Sequence, residues 1–298
     1  MSAEPLPSIG FIGLGAMGTP MTRRLMDAGY VVTGFDVAGD ARARVAEYAV
    51  RTVDHVEEAV SRANVVILML PDSSAVESVL TSTDVRRELA RGTLVIDMSS
   101  SEPLRTRALA ERLSEGGVRM IDAPVSGGVA GAERGALTVM TGGRTEDVDD
   151  ARPVLEVFGK VVHAGPIGSG HAVKALNNLL SATHLLITSE AMLAGERFGL
   201  DPKVMLDIFN GSSGRSGSTE NKYPNFVLPG TYNSGFGLRL MLKDMKIAVA
   251  LAAEVDAPSA LGAEAVQVWS MAAEDLPPRA DHTEIARWVS DGDGDHEE

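Results

Sequence analysis

The 298-residue chain contains no cysteine, which excludes disulfides, thiolate catalysis and cysteine-ligated zinc. Aromatic residues make up only 4% of it, leaving few rings on which bases could stack. Basic side chains are also scarce: 27 Lys and Arg face 41 Asp and Glu, for a formal charge of −14, so a phosphate backbone would be repelled. A nucleic-acid partner is therefore not expected. No apolar run approaches the roughly 20 residues that span a bilayer, and the opening MSAEPLPS has neither a basic n-region nor an apolar h-region. A soluble, cytoplasmic protein without a membrane partner is expected. The histidines, at 55, 163, 171, 184, 282 and 296, show no spacing that places two ligands on one face, so no metal is expected.

What is present is apolar residues, 44% of the chain, enough for one large core or two domains, and the length favours two. Over residues 1–165, short apolar, β-branched runs (SIGFIGLG, YVVTGFD, NVVILML, TLVIDMS, VRMIDA, LTVMTG and KVVHAG) alternate with helical patterns. Strands spaced by helices predict parallel βαβ units in a doubly wound α/β sheet covered on both faces. Over 166–290 the strand pattern stops and Ala/Leu/Met-rich stretches such as 169–198, 201–209 and 238–255 predict an all-α second domain. Its apolar surface exceeds what so small a domain hides alone, which predicts a homodimer or homotetramer. Residues 211–237 form one long helix-poor segment, expected to help shape a site. The end, 291–298, is acidic without an apolar anchor and is expected to be a disordered tail.

The segment Gly13-Leu14-Gly15-Ala16-Met17-Gly18 has the G-x-G-x-x-G spacing between an apolar strand and an amphipathic helix. In that context the glycines allow a tight turn and let a pyrophosphate approach the exposed N–H groups at the helix start, the Rossmann arrangement. Asp36 ends the second strand 18 residues beyond Gly18, close to the roughly 20 expected of the acid that binds the adenosine ribose. A carboxylate there accepts from the 2′-hydroxyl and repels a 2′-phosphate, favouring NAD over NADP.

Two further segments carry chemistry. In DAPVSGGVAGAERGALTVMTGG, residues Ser126, Gly127 and Gly128 offer successive N–H groups and a hydroxyl, suited to an anion; glycines at a tight sheet-to-helix crossing would look similar, and the nearby nicotinamide site favours the anion. In GSGHAVKALNNLLSATHLL, His171, Lys174, Asn178 and Ser181 fall on one helical stripe within an apolar helix. The stripe reads either as a cleft wall or as a solvated face.

These motifs, with LMLKDMKIA, resemble the β-hydroxyacid dehydrogenase family over residues 7–275, most closely its 3-hydroxyisobutyrate dehydrogenases. The resemblance implies an NAD-dependent dehydrogenase of a short 3-hydroxy acid or the matching semialdehyde, with Lys174 as catalytic acid/base and Asn178 as its partner. It also implies that Lys243 lies near the nicotinamide and the substrate carboxylate, that Leu70, Pro71 and Ser100 line the nicotinamide ribose, and that Phe236 walls the substrate pocket unless it is ordinary core. Asp244 and Lys246 are read as helix-surface charges, Asn177 as structural, His184 as a core or interface histidine, and His171 as structural or a tuner of Lys174. Where many of these enzymes carry tryptophan, this chain has Gly217, which implies a roomier pocket and leaves open tartronate, succinic or sulfonated semialdehydes. Arg215 is read as the cation for a second anionic group or as an inter-subunit ion pair. Competing readings are a catalytically silent dinucleotide-binding module and, less well matched at Lys174, an imine reductase.

Overall fold

The computed structural model describes residues 6–48 and 50–292. Nine strands form one sheet: β1 (Ile9–Ile12), β2 (Val32–Phe35), β3 (Arg51–Thr52), β4 (Val65–Leu68), β5 (Leu94–Asp97), β6 (Arg119–Asp122), β7 (Val125–Ser126), β8 (Leu137–Gly142) and β9 (Gly159–Gly165). All seven sequence-predicted strands are present. The two additions, β3 and β7, are two residues each, too short to show a periodic pattern.

The sheet is buried on both sides because the runs IGFI, VVIL and LVID are apolar at every step or nearly so. Alternate residues point to opposite faces. Phe11, Ile67 and Ile96 join a core with Met21, Leu25 and Phe158, while Ile12, Leu68 and Val95 join another with Val76, Leu80 and Leu109. Each such fully buried side chain contributes roughly 1.5–3 kcal/mol.

The strand order is β3-β2-β1-β4-β5-β6-β8-β7, with β9 beside β8. From β3 to β6 every neighbouring pair is parallel. The order reverses direction between β1 and β4, the switch point at which open α/β sheets bind ligands. The register aligns Phe35, Ile12, Leu68, Asp97 and Asp122 across the sheet, so five strands end at one edge. The expectation of parallel units throughout fails at β8, which pairs antiparallel with β6 and β7. The link from β7 to β8 holds only a seven-residue helix, Gly128–Arg134, too short for a crossover of a dozen or more residues, so the chain turns back as a hairpin.

The chain divides into two compact units, Met1–Lys174 and Ala175–Glu298. The division falls inside the helix Ser169–Phe198, called the long helix below, whereas the sequence reading placed it at 165. The second unit is helical, with Pro202–Asn210, Leu238–Glu254, Ala260–Asp275 and Ile285–Asp291 completing it. Its core gathers Trp269, Leu185, Met245, Leu238 and Ile285. The segment 211–237 is not helix-poor as predicted: Ser218–Val227 winds as a wide π-helix, with Leu228 N–H donating to the Tyr223 carbonyl five residues back. Its Ser, Asn and Pro content conceals the helix from a reading of propensities. Of the expected tail, Asp291 ends a helix and Gly292 caps it; 293–298 lie outside the described residues. No helix among them is long and apolar enough to cross a membrane.

Candidate active site

At the aligned sheet edge, β1 runs into the glycine cluster. Gly13 has φ +99°, and a side chain on it would collide with the Met69 carbonyl; one on Gly18 would collide with the Gly13 carbonyl. Those two glycines make the turn and the close helix packing. At Gly15 a side chain would meet nothing within 4 Å, and the residue is exposed: this is open backbone at the start of the helix Gly18–Asp27, as a pyrophosphate requires. Met17, Met21 and Leu25 anchor that helix in the core, Met17 from its edge. Leu14 is fully buried and Ala16 exposed.

Asp36 follows β2 and grips the same turn: Leu14 N–H donates to its Oδ2 at 2.7 Å and Ala38 N–H to its Oδ1 at 2.8 Å. A carboxylate fixed by two backbone donors beside the glycine turn suits a ribose diol. Beyond β4, Leu70 N–H donates to Ser99 Oγ at 2.9 Å. Ser99 in turn donates its N–H to buried Asp97 at 3.0 Å, and the Ser101 hydroxyl donates to the same carboxylate at 3.0 Å. Asp97 thereby shapes the turn that carries Ser100, and the Ser99 bond places Leu70 and Pro71 beside it.

Asp122, at the end of β6, does for the long helix what a side-chain N-cap does. Its Oδ1 accepts the Gly168 N–H at 2.6 Å and its Oδ2 the His171 N–H at 2.8 Å. Burial pushes its carboxyl pKa up, against the pull of His171 and of those two donors. His171 is itself buried, its Nδ1 2.9 Å from the Thr106 hydroxyl and its Nε2 3.8 Å from Asp97. Its ring is thus held in the first unit's interior. Five and six residues after Asp122, Gly127 and Gly128 have φ of +132° and +62°, and Ser126 just before them is half-buried. A side chain on Gly128 would meet nothing within 4 Å, so its backbone is open to a ligand.

The polar stripe on the long helix is buried, not solvated: His171, Lys174 and Asn178 are 1%, 8% and 4% exposed. Asn178 Nδ2 donates to Asp244 Oδ2 at 2.6 Å, and Asn177, itself exposed, donates from Nδ2 to Asn178 Oδ1 at 3.2 Å. Asp244 also makes an ion pair with Lys243 at 3.1 Å. The reading of Asp244 as a surface charge is therefore wrong, since it is 1% exposed. Between two lysines in LMLKDMK it looked solvated, yet it lies three residues after Met241 and four before Ala248, on the stripe those residues bury. Lys246 is exposed, as expected; His184 is also exposed, which removes the core option for it.

Phe236 sits edge-on to His282, ring centroids 5.9 Å apart, and packs at the margin of the helical core. Arg215 is largely exposed and pairs with Glu220, Nε to Oε1 at 2.7 Å, so a partner within its own segment satisfies it. Gly217 is exposed and a side chain there would meet nothing within 4 Å. Among the described residues no cluster of His, Asp and Glu could hold a metal.

Residues 8–168 match the family model of the NAD binding domain of 6-phosphogluconate dehydrogenase, and 168–289 that of the NAD-binding region of NADP-dependent 3-hydroxyisobutyrate dehydrogenase. The chain belongs to the β-hydroxyacid dehydrogenase family. The mitochondrial 3-hydroxyisobutyrate dehydrogenase of Bos taurus is 39% identical over 272 residues, covering 88% of this chain and 81% of the relative. The 2-(hydroxymethyl)glutarate dehydrogenase of Eubacterium barkeri is 36% identical over 263 residues, covering 88% and 87%. The structure of Mycobacterium tuberculosis 3-hydroxyisobutyrate dehydrogenase with L-serine superposes with a TM-score of 0.90 at 33% identity, covering 96% of this chain and 99% of that one. This β-hydroxyacid dehydrogenase is thus an NAD-binding oxidoreductase acting on CH–OH groups. The open backbone at Gly15 and the fixed Asp36 carboxylate fit that cofactor.

Proposed function

We propose that the chain interconverts a short 3-hydroxy acid and its semialdehyde, with Lys174 as the acid/base. The observation that carries this reading is a buried lysine one helical turn from an asparagine whose amide is held from both ends. NAD, held by Gly13, Leu14, Gly15, Ala16, Met17, Gly18 and Asp36, supplies the hydride acceptor when bound. Leu70, Pro71 and Ser100 line its nicotinamide ribose.

The substrate carboxylate rests on the N–H groups at Ser126, Gly127 and Gly128, with Lys243 as counter-charge and Phe236 as an apolar wall. Lys174 takes the proton of the CH–OH group as its C–H bond breaks, and returns it in the reverse direction. Asn178 spends one amide hydrogen on Asp244, leaving its second for the substrate oxygen. That oxygen is then lined up with the amine, an orientation worth more than any single contact. The names of the relatives span 3-hydroxyisobutyrate, 2-(hydroxymethyl)glutarate and, in a complex, L-serine; all bear a hydroxymethyl carbon next to the carbon that carries the carboxylate.

We further propose a homodimer or homotetramer. Leu176, Leu180 and Ile187 of the long helix are 42%, 59% and 56% exposed, an outward apolar face that a second copy would bury. A screen of 3-hydroxyisobutyrate, L-serine and tartronate semialdehyde, each with NAD(H) and NADP(H), tests the main reading. Turnover of at least one with NAD(H) is expected, while NADH binding without turnover of any would favour a silent module.

A further inference from the structure

The stripe of the long helix does not stop at Asn178. Ser181 stands three residues on, about 4.5 Å further along the axis, and its hydroxyl accepts from Lys222 Nζ at 2.7 Å, with the Ser181 carbonyl 3.3 Å from the same amine. Lys222 comes from the π-helix Ser218–Val227, in the segment whose sequence pointed to a site.

The groups that touch this amine are neutral, the hydroxyl and carbonyl of Ser181. No carboxylate of the described residues lies within ion-pair distance of Lys222, whereas Arg215, the cation first considered for a second anion, is satisfied by Glu220. Burial lowers the Lys222 pKa to about 8, with Asp281 pulling the other way. Its charge, after burial, helps to hold neighbouring His282 neutral, down to about 4. His282 Nε2 is buried without a hydrogen-bond partner, and the ring abuts Phe236. A largely buried cation that touches a hydroxyl and a carbonyl, with Asp281 only beyond ion-pair distance, is costly to keep unless a closer anion completes it.

We infer that Lys222, with Ser181, binds a second carboxylate at the far end of the substrate, so that the favoured substrates are hydroxy dicarboxylic acids or their semialdehydes. The inference rests on the acid/base assignment to Lys174 on the same stripe and adds a substrate class to it. Lys222 is a specificity-determining residue here: the hydroxymethyl end reacts beside Lys174 and Asn178, and the distal carboxylate lies one helical turn on, at Ser181.

The test compares the full chain with Lys222→Met and Lys222→Arg on two substrates sharing a hydroxymethyl end, a monocarboxylate (3-hydroxyisobutyrate) and a 2-(hydroxymethyl) dicarboxylate. The wild type is expected to prefer the dicarboxylate. Lys222→Met should lose at least ~10-fold in kcat/KM on it, the scale of one charged hydrogen bond, mostly through KM. It should change less than ~2-fold on the monocarboxylate, keep its NADH affinity and melt no lower than wild type; Lys222→Arg should recover part of the loss. Equal losses on both substrates, or a lowered melting temperature with no change in preference, would make Lys222 a structural tether and overturn the inference. Wild-type turnover of the monocarboxylate alone would also overturn it while leaving the dehydrogenase reading intact; turnover of neither substrate would defeat that reading itself.

Discussion

Asn178 Nδ2 donates to Asp244 Oδ2 at 2.6 Å, joining the middle of the long helix to the helix Leu238–Glu254 by a bond buried at both ends. Through its other oxygen Asp244 faces Lys243 at 3.1 Å. One buried carboxylate therefore sets the direction of the amide and the place of the ammonium that the proposed mechanism uses on the substrate.

Asp244→Asn keeps the shape and removes the charge. It should lower kcat/KM about 10–100-fold, as expected when a group acting in the transition state is misplaced. Because Asp244 acts through Asn178, the double variant with Asn178→Ala should be little worse than the poorer single one, a coupling of at least ~1 kcal/mol in a double-mutant cycle. Multiplicative losses would show the two to be independent.

On the proposed assignment, Asp36 sets the cofactor choice. Asp36→Ser removes both the acceptor for a ribose 2′-hydroxyl and the repulsion of a 2′-phosphate, and it loosens the Leu14 turn that the carboxylate holds at 2.7 Å. The ratio of NADPH to NADH dissociation constants, measured by fluorescence titration, should fall at least ~10-fold. An unchanged ratio would move the discriminating residue elsewhere.

His282 gives stability a pH dependence. Burial first, then the Lys222 charge, holds its pKa down to about 4 from the model-peptide value of 6.5, so between those values the unfolded chain binds a proton that the folded chain does not. Stability from this group is complete above pH 6.5, falls as the pH drops towards 4 and levels off below, a loss on the order of 3 kcal/mol. Melting temperatures measured from pH 7 to 4.5 should fall less steeply for His282→Gln than for the wild type. Parallel curves would show that His282 already titrates normally.

The strands of the first unit were legible because buried parallel strands write themselves as short β-branched runs, and the glycine turn because its spacing serves a backbone need that the structure shows at Gly13 and Gly18. The bounds of the long helix, Ser169–Phe198, were read from its apolar periodicity alone. What escaped was pairing between distant segments. Asp122 was visible in its motif, yet nothing local says that its carboxylate caps a helix starting 47 residues later. Asp244 could have been found, since its position matches the buried period of Met241 and Ala248, but its lysine neighbours outweighed that signal. Lys222 lay in a stretch whose Ser, Asn and Pro residues read as loop, and only the fold brings it to Ser181.

Lys174→Ala gives the most direct test, by steady-state turnover of the best hydroxy acid alongside NADH titration on the same preparation. If this buried amine moves the hydroxyl proton as proposed, its removal cuts kcat at least ~100-fold, the lower end for general acid–base groups, with the NADH dissociation constant within about 2-fold of wild type. A kcat within a few-fold of wild type would contradict the role of Lys174 and, with it, the account of how this chain handles a CH–OH group.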